Sequence, residues 1–408
     1  MRKCGLLGRK LGHSYSPQIH AQLGDYPYNL FEKEPEELAD FLKSGCFTGI
    51  NVTVPYKKDV IPYLDELTPV ARRLGAVNTI VRRNGKLIGH NTDYFGFLTM
   101  VRASGLDVSG KKVLVLGSGG ASNTAVSVLE ELGADVVVIS RTGENNYGNL
   151  YIHADARVIV NTTPAGMYPH TGVSPLSLEI FPALEGVLDV IYNPARTRLL
   201  LDAQARELVT MNGLLMLVAQ AKEAAEWFNG QSIDDSIIPK IHRNLRHQME
   251  NIILIGMPGC GKSTVGNLLA HKLGKEFVDA DAVTGEIAGM PIPDIFSRFG
   301  EDAFREYETQ SLWHLGMRSG IVLATGGGCV TKDRNYPLLH QNGTVFWLKR
   351  EISALPTEGR PLSQQVRLEE MYRVRQPMYE AFADYTVCNN GSPEETAAQI
   401  IRIWEEMP

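Results

Sequence analysis

The sequence predicts an α/β protein of more than one domain, on three observations. The chain has 408 residues, more than a single hydrophobic core usually organises. Short apolar runs alternate with stretches of helical period, the pattern of strands backed by helices. Two glycine-rich loops, "GSGGA" beginning at Gly117 and "GMPGCGKS" beginning at Gly256, each follow an apolar run and open a helical one. That order places backbone N–H groups and a helix N-terminus where a phosphate can be held.

Composition narrows the class. With 44% hydrophobic and 21% charged residues, the chain can bury sizeable cores and is not expected to be disordered. A net charge of −6 offers no broad attraction for nucleic acid or anionic membrane, so small molecules are the expected partners. Cys4, Cys46, Cys260, Cys329 and Cys388 are scattered without metal-binding spacing, which suits a reducing compartment and implies no structural zinc. Arg9 and Lys10 interrupt the apolar start before it reaches the length of a secretory leader, and no apolar run is long enough to span a membrane. A cytoplasmic location is expected. Composition does not distinguish a monomer from a homodimer.

Punctuation divides the chain into three blocks. Residues 1–102 alternate strand-like "CGLLG", "GINVTVP" and "AVNTIVRRNGKLIG" with helix-like "PEELADFLKSG" and "VIPYLDELTPVARRLG", and Asn84-Gly85 marks a tight hairpin. Residues 103–211 open with a strand, Lys112 to Leu116, that enters Gly117, Ser118, Gly119, Gly120 and Ala121. A helix and a second strand ending at Ser140 follow, the order of a Rossmann-like dinucleotide unit, although Ser122 stands where a third glycine is common. At the end of that second strand Ser140, Arg141 and Thr142 are neutral or basic, which favours NADP(H) over NAD because a 2′-phosphate can be accepted there. An ordinary exposed strand end is the competing reading of Arg141.

Residues 249–408 begin with a complete P-loop, Gly256-x-x-x-x-Gly261-Lys262-Ser263. Its backbone, through Gly256, Pro258, Gly259, Cys260, Gly261 and Thr264, would cradle the phosphates of ATP. Lys262 would reach the β and γ phosphates, and Ser263 would hold Mg²⁺.

Seven separated motifs in residues 1 to about 246, "GHSYSP", "NVTVPYK", "AVNT", "GHNTD", "GSGGA", "NTTPAGM" and "GLLMLVAQA", resemble the shikimate dehydrogenases, in that family's order. The resemblance implies that Ser14 and Ser16 bind a substrate carboxylate and that Thr53, Asn78, Tyr192 and Gln220 contact the ring or its hydroxyls. It implies that Lys57 and Asp93 are the catalytic pair. Reducing a keto group needs a proton donor at its oxygen, and a lysine positioned by a carboxylate supplies one. Thr162, Met167 and Gly213 are implied at the coenzyme, and helices over about 212–246 are implied to pack back on the first domain. The stretch between Arg141 and Asn161 is short for this family, so an element is expected to be missing there, and the second basic residue common after "RT" is absent.

Beyond the P-loop, "VDADAVTGEIAG", "FGEDAFREYE", "LATGGGCV", "GRPL" and "VRQPMY" resemble the shikimate kinases. By that resemblance Asp279 helps organise Mg²⁺, and Asp281 binds and activates the substrate hydroxyl. Arg305 and Arg375 grip its carboxylate, while Gly326, Gly327 and Gly328 let the backbone approach the ring. Arg360 belongs to a lid over the phosphates. The whole resembles a fusion: an α/β substrate domain, a Rossmann-like NADP-binding domain, then a P-loop kinase domain with a parallel sheet and flanking helices. Met249 reads as the seam. Two alternatives are a quinate/shikimate dehydrogenase using NAD fused to the kinase, and a non-catalytic sensor or repressor built from these domains.

Overall fold

The computed structural model describes residues 3–12, 14–355 and 368–407. Two compact units divide the chain: Met1–Ala165, Pro175–Tyr192 and Asp202–Asn244 form the first, and Gly166–Ser174, Asn193–Leu201 and Leu245–Pro408 the second.

The first unit contains two sheets. One comprises β1 (Cys4–Gly8), β2 (Tyr28–Glu32), β3 (Gly49–Val52), β4 (Glu66–Leu67), β5 (Thr79–Arg83) and β6 (Lys86–His90), in the order β2-β1-β3-β5-β6-β4. Strand β1 pairs in parallel with β2 and β3, whereas β5 runs antiparallel to both β3 and β6. The expected hairpin joins β5 to β6: Asn84 and Gly85 both have positive φ, 52° and 79°, as a two-residue turn matched to strand twist requires. The helical expectation for "VIPYLDELTPVARRLG" is corrected. That stretch breaks into a 3₁₀ turn Ile61–Tyr63, the two-residue β4 and a helix Pro69–Leu74. Pro69 explains the break before the last helix, since it lacks an N–H and holds its predecessor extended. Thr68, at ψ 158°, accordingly leaves the helical region and caps the helix by accepting from Ala71 N.

The second sheet is all parallel, with β7 (Lys112–Leu116), β8 (Asp135–Ile139), β9 (Val158–Asn161), β10 (Gly186–Asp189) and β11 (Val209–Met211) in the order β11-β10-β9-β7-β8. A helix Gly120–Glu131 returns from β7 to β8, while the short connection from β8 to β9 carries only a 3₁₀ turn, Leu150–His153. Further along, the helix Leu214–Asn229 packs on the helix Asp93–Ser104. Gly96 permits this close crossing, because a Cβ there would lie 2.7 Å from Met216 O.

In the second unit β12 (Asn251–Ile255), β13 (Glu276–Asp279), β14 (Ile321–Ala324), β15 (Gly343–Lys349) and β16 (Tyr385–Cys388) make one parallel sheet, ordered β13-β14-β12-β15-β16. Central β12 is buried along its whole length, which explains its uninterrupted apolar run "IILI". The P-loop helix Lys262–Leu273 lies close against the sheet through Gly266. The long helical segment Ile292–Gly316 is broken at Gly300, whose φ of 80° no helix contains. Among the described residues no helix is long and apolar enough to cross a membrane.

Gly266→Val tests the seat of the P-loop helix. A Cβ at Gly266 would stand 2.5 Å from the Phe277 ring, so the substitution is expected to lower stability by about 2 kcal/mol through overpacking. Urea denaturation of the full chain, followed by Trp fluorescence, measures this; an unchanged midpoint would refute the close seating.

Candidate active sites

The first site forms where loops leave the first sheet on one side. Strands β1 and β3 are paired with Leu7 beside Val52, so the segments that follow them, carrying Ser14 and Ser16 on one and Thr53 and Lys57 on the other, emerge together. Ser14 Oγ accepts from Ser16 N at 3.2 Å, and Thr53 N donates to Leu7 O at 2.9 Å, which pins both loops. Ser14, Ser16, Thr53 and Tyr192 are half-buried. Tyr15, between the two serines, meets Tyr192 edge-on at 6.1 Å.

Lys57 Nζ donates to Asp93 Oδ2 at 2.6 Å. Asp93 begins its helix, where N-terminal N–H groups favour a carboxylate. Its other oxygen, Oδ1, accepts from Asn78 Nδ2 at 3.0 Å, and the same amide nitrogen donates to Gln220 Oε1 at 3.0 Å. The amide cannot be turned over: Asn78 Oδ1 accepts from Thr92 N at 2.7 Å, and a backbone N–H only donates. Lys57, Asn78, Asp93 and Gln220 are thus joined in one network, which presents a lysine ammonium at its open end, 28% exposed against 10% for the Asp93 side chain.

A cavity of about 720 Å³ opens at the end of the second sheet, lined by Gly117, Ser118, Gly119, Ser140, Arg141 and Thr162 together with Tyr147. Gly119 and Gly120 face open space where side chains would stand, and the helix Gly120–Glu131 points its N-terminus there, a fit for a pyrophosphate. Gly120, Ala121, Thr142, Met167 and Gly213 do not line this cavity. Ala121 lies in the helix behind it, Thr142 and Met167 are exposed, and Gly213 is buried ahead of the helix Leu214–Asn229. Tyr147 was not among the sequence candidates, because nothing in "TGENNYGN" distinguishes a cavity tyrosine from a surface one.

The second unit holds a cavity of about 580 Å³ floored by the P-loop. Pro258, Gly259, Gly261, Lys262, Ser263, Thr264, Asp279, Asp281, Arg305, Arg375 and the glycines Gly326, Gly327 and Gly328 all line it. Gly256 and Cys260 belong to the loop but not to that wall; Cys260 is fully buried beneath it. Arg360 lies outside the described residues. Lys262 Nζ donates to Gly256 O at 2.9 Å and Met257 O at 3.1 Å, so the ammonium is folded over the loop it serves. Ser263 Oγ donates to Asp279 Oδ2 at 2.8 Å, while Asp279 Oδ1 caps the helix Ala280–Ala288 by accepting from Asp281 N at 3.0 Å. A hydroxyl and a carboxylate together are hard oxygen donors that suit Mg²⁺.

Asp281 faces the cavity, and enclosure by protein, then the charge of Asp279, raise its carboxyl above the usual aspartate range. Arg305 is held by two carboxylates, Glu308 at 2.7 Å and Glu301 at 2.9 Å. A Cβ on Gly328 would displace the Arg305 guanidinium from its present place. Arg375 Nη1 donates to Gly327 O at 3.2 Å, and the Tyr379 hydroxyl donates to the same oxygen. Glu308 was not foreseen from the sequence, although its spacing three residues after Arg305 on a helix was a usable signal. Its Oε1 is buried with no hydrogen-bond partner among the described residues and faces Gly326. Arg350, which also lines the cavity, carried no motif.

Comparison with known proteins finds a family match on each side of the seam. Residues 258–405 match the family model of shikimate kinase, and residues 6–80 that of the shikimate dehydrogenase substrate binding domain. A shikimate dehydrogenase (NADP(+)) of Clostridium perfringens is 37% identical over 268 residues, covering 60% of this chain and 99% of that protein. The crystal structure of shikimate dehydrogenase 1 from Peptoclostridium difficile superposes with a TM-score of 0.56 at 39% identity, covering 60% of this chain and 98% of that one. A Thermus thermophilus shikimate 5-dehydrogenase, solved with NADP(H) and shikimate, gives 0.55 at 34% identity, covering 60% of this chain and 99% of the other. Over that 60% the chain belongs to the shikimate dehydrogenase family, and behind that portion it carries a shikimate kinase domain.

Proposed function

We propose that this one chain carries out two successive reactions: NADPH-dependent reduction of 3-dehydroshikimate to shikimate, and ATP-dependent phosphorylation of shikimate at its 3-hydroxyl. The observation that carries the reading is the presence of two separate, internally complete side-chain sets. One is built on Lys57 and Asp93, the other on Lys262, Ser263, Asp279, Asp281 and Arg305.

In the first reaction Ser14 and Ser16 hold the substrate carboxylate, and Thr53, Asn78, Tyr192 and Gln220 fix the ring and its hydroxyls. Gly117, Ser118, Gly119 and Arg141 would hold NADPH, which would supply the hydride. Lys57, held by Asp93, donates the proton that the former carbonyl oxygen requires. Asn78 keeps one Asp93 oxygen engaged, so that the carboxylate presents the other to the lysine.

In the second reaction Arg305 and Arg375 bind the carboxylate of shikimate, where a guanidinium fork matches a planar anion. Asp281 accepts a hydrogen bond from the 3-hydroxyl and orients it toward the γ-phosphate. Lys262 reaches the β and γ phosphates, and Ser263 with Asp279 would hold Mg²⁺, which neutralises charge on them.

Lys57→Ala is expected to lower dehydroshikimate reduction by at least about a hundredfold and leave phosphorylation intact, and Lys262→Ala to do the reverse. NADPH oxidation and ADP release, assayed on the same preparations, read the two activities. Loss of both from either change in a folded protein would sink the two-site model.

Coenzyme preference follows from Arg141. Wild type is expected to use NADPH at least about tenfold more efficiently than NADH, the worth of one charge-assisted hydrogen bond; faster turnover with NADH would overturn this assignment. Arg375→Ala is expected to raise the KM for shikimate about 10- to 100-fold while leaving that for ATP near its original value. An equal rise in both would mean that Arg375 supports the fold rather than the substrate.

A further inference from the structure

The segment between β8 and β9 is short, yet it is firmly built. Ser140 closes it from the strand end: Ser140 N donates to Asn145 O at 3.1 Å, and Ser140 Oγ accepts from Gly143 N at 2.8 Å. Asparagine side chains brace the rest. Asn149 Oδ1 accepts from Asn146 N at 2.8 Å, Asn149 Nδ2 donates to Glu144 O at 2.8 Å, and Asn146 Oδ1 accepts from Gly148 N at 2.9 Å. His153 Nε2 lies 3.0 Å from Asn145 Oδ1 and ties the loop to the following 3₁₀ turn. Tyr147 lies in sequence between these braced residues. It is half-buried and lines the coenzyme cavity together with Ser140 and Arg141.

We propose that Tyr147 is a coenzyme-binding residue that determines specificity, its phenol hydroxyl donating to the coenzyme 2′-phosphate beside the Arg141 guanidinium. This rests on the NADPH reading above and adds to it. The chain has no second basic residue after Ser140-Arg141-Thr142, so a dianionic phosphate placed there would otherwise meet a single guanidinium. Arg141 and Tyr147 line the same cavity, so one bound anion there could meet both. Burial raises the phenol's pKa, so the group stays protonated and remains a donor at neutral pH. Glu144, the nearest carboxylate in sequence, is exposed and does not line the cavity. The loop thus offers the phosphate a donor without an opposing negative charge.

Tyr147→Phe removes the hydroxyl and keeps the ring and the loop. Fluorescence titration of the full chain with NADPH and with NADH, and the KM for each in dehydroshikimate reduction, provide the test. The expected result is a roughly tenfold loss of affinity for NADPH, with NADH binding changed less than about twofold. Unchanged NADPH binding would overturn the assignment, as would equal weakening of both coenzymes, which would show that the ring packs against a part common to the two. A wild type that binds NADH as tightly as NADPH would instead fell the coenzyme reading, and this inference with it. Tyr147→His serves as the second variant: a ring N–H that restores NADPH preference over Tyr147→Phe supports a hydrogen-bond donor at this position, and failure to restore it in a folded protein counts against one.

Discussion

One backbone N–H, that of Thr92, decides how the first site is assembled. Because it can only donate, Asn78 must turn its carbonyl toward Thr92 and its amide nitrogen toward Asp93 and Gln220. Three distant stretches of chain meet in that one side chain: the connection into β5, the start of the helix Asp93–Ser104, and the helix Leu214–Asn229. Thr79 Oγ1 adds a second donor to the same carbonyl at 3.1 Å, so the orientation is held twice. An asparagine held from both its carbonyl and its amide keeps one pose in a buried setting, and the lysine–aspartate pair inherits its geometry from that pose.

The second site is held together by charge rather than by an amide. Arg305 is nearly inaccessible, and a buried guanidinium is tolerated only when its charge is met. Glu308, itself 1% exposed, and Glu301 meet it from the same helix, one and about one turn away. Burial raises the Glu308 carboxyl above its usual range, and one glutamate oxygen is left toward the cavity floor at Gly326. The glycines above it matter for their missing side chains, since the guanidinium occupies the space that a Cβ on Gly328 would fill.

Much of this was legible in the sequence where function depends on local order. A strand, a glycine loop and a helix must be consecutive to hold a phosphate, so both loops could be read directly. The Asn84-Gly85 hairpin was readable for the same reason, because its φ values are set by the two residues themselves. The stretch from Val60 to Gly75 misled because its apolar spacing suits a helix while Pro69 forbids a continuous one. Glu308 and Tyr147 escaped because their importance lies in what surrounds them: burial beside Arg305 for one, and a loop folded over a cavity for the other. The helical spacing from Arg305 could have flagged Glu308, whereas nothing in the letters around Tyr147 marks its cavity.

The break at Gly300 has a mechanical meaning for the kinase cavity. Ile292, Pro293 and Phe296 line its rim from the segment before the break, whereas Phe304, Arg305 and Glu308 line it from the segment after. An unbroken helix would make these parts of a single rigid rod, so that any tilt of the rim would drag the arginine with it. With a glycine between them they are two rods sharing a joint. The kink thus lets an apolar rim and a buried ion pair face one cavity from two separate helical segments.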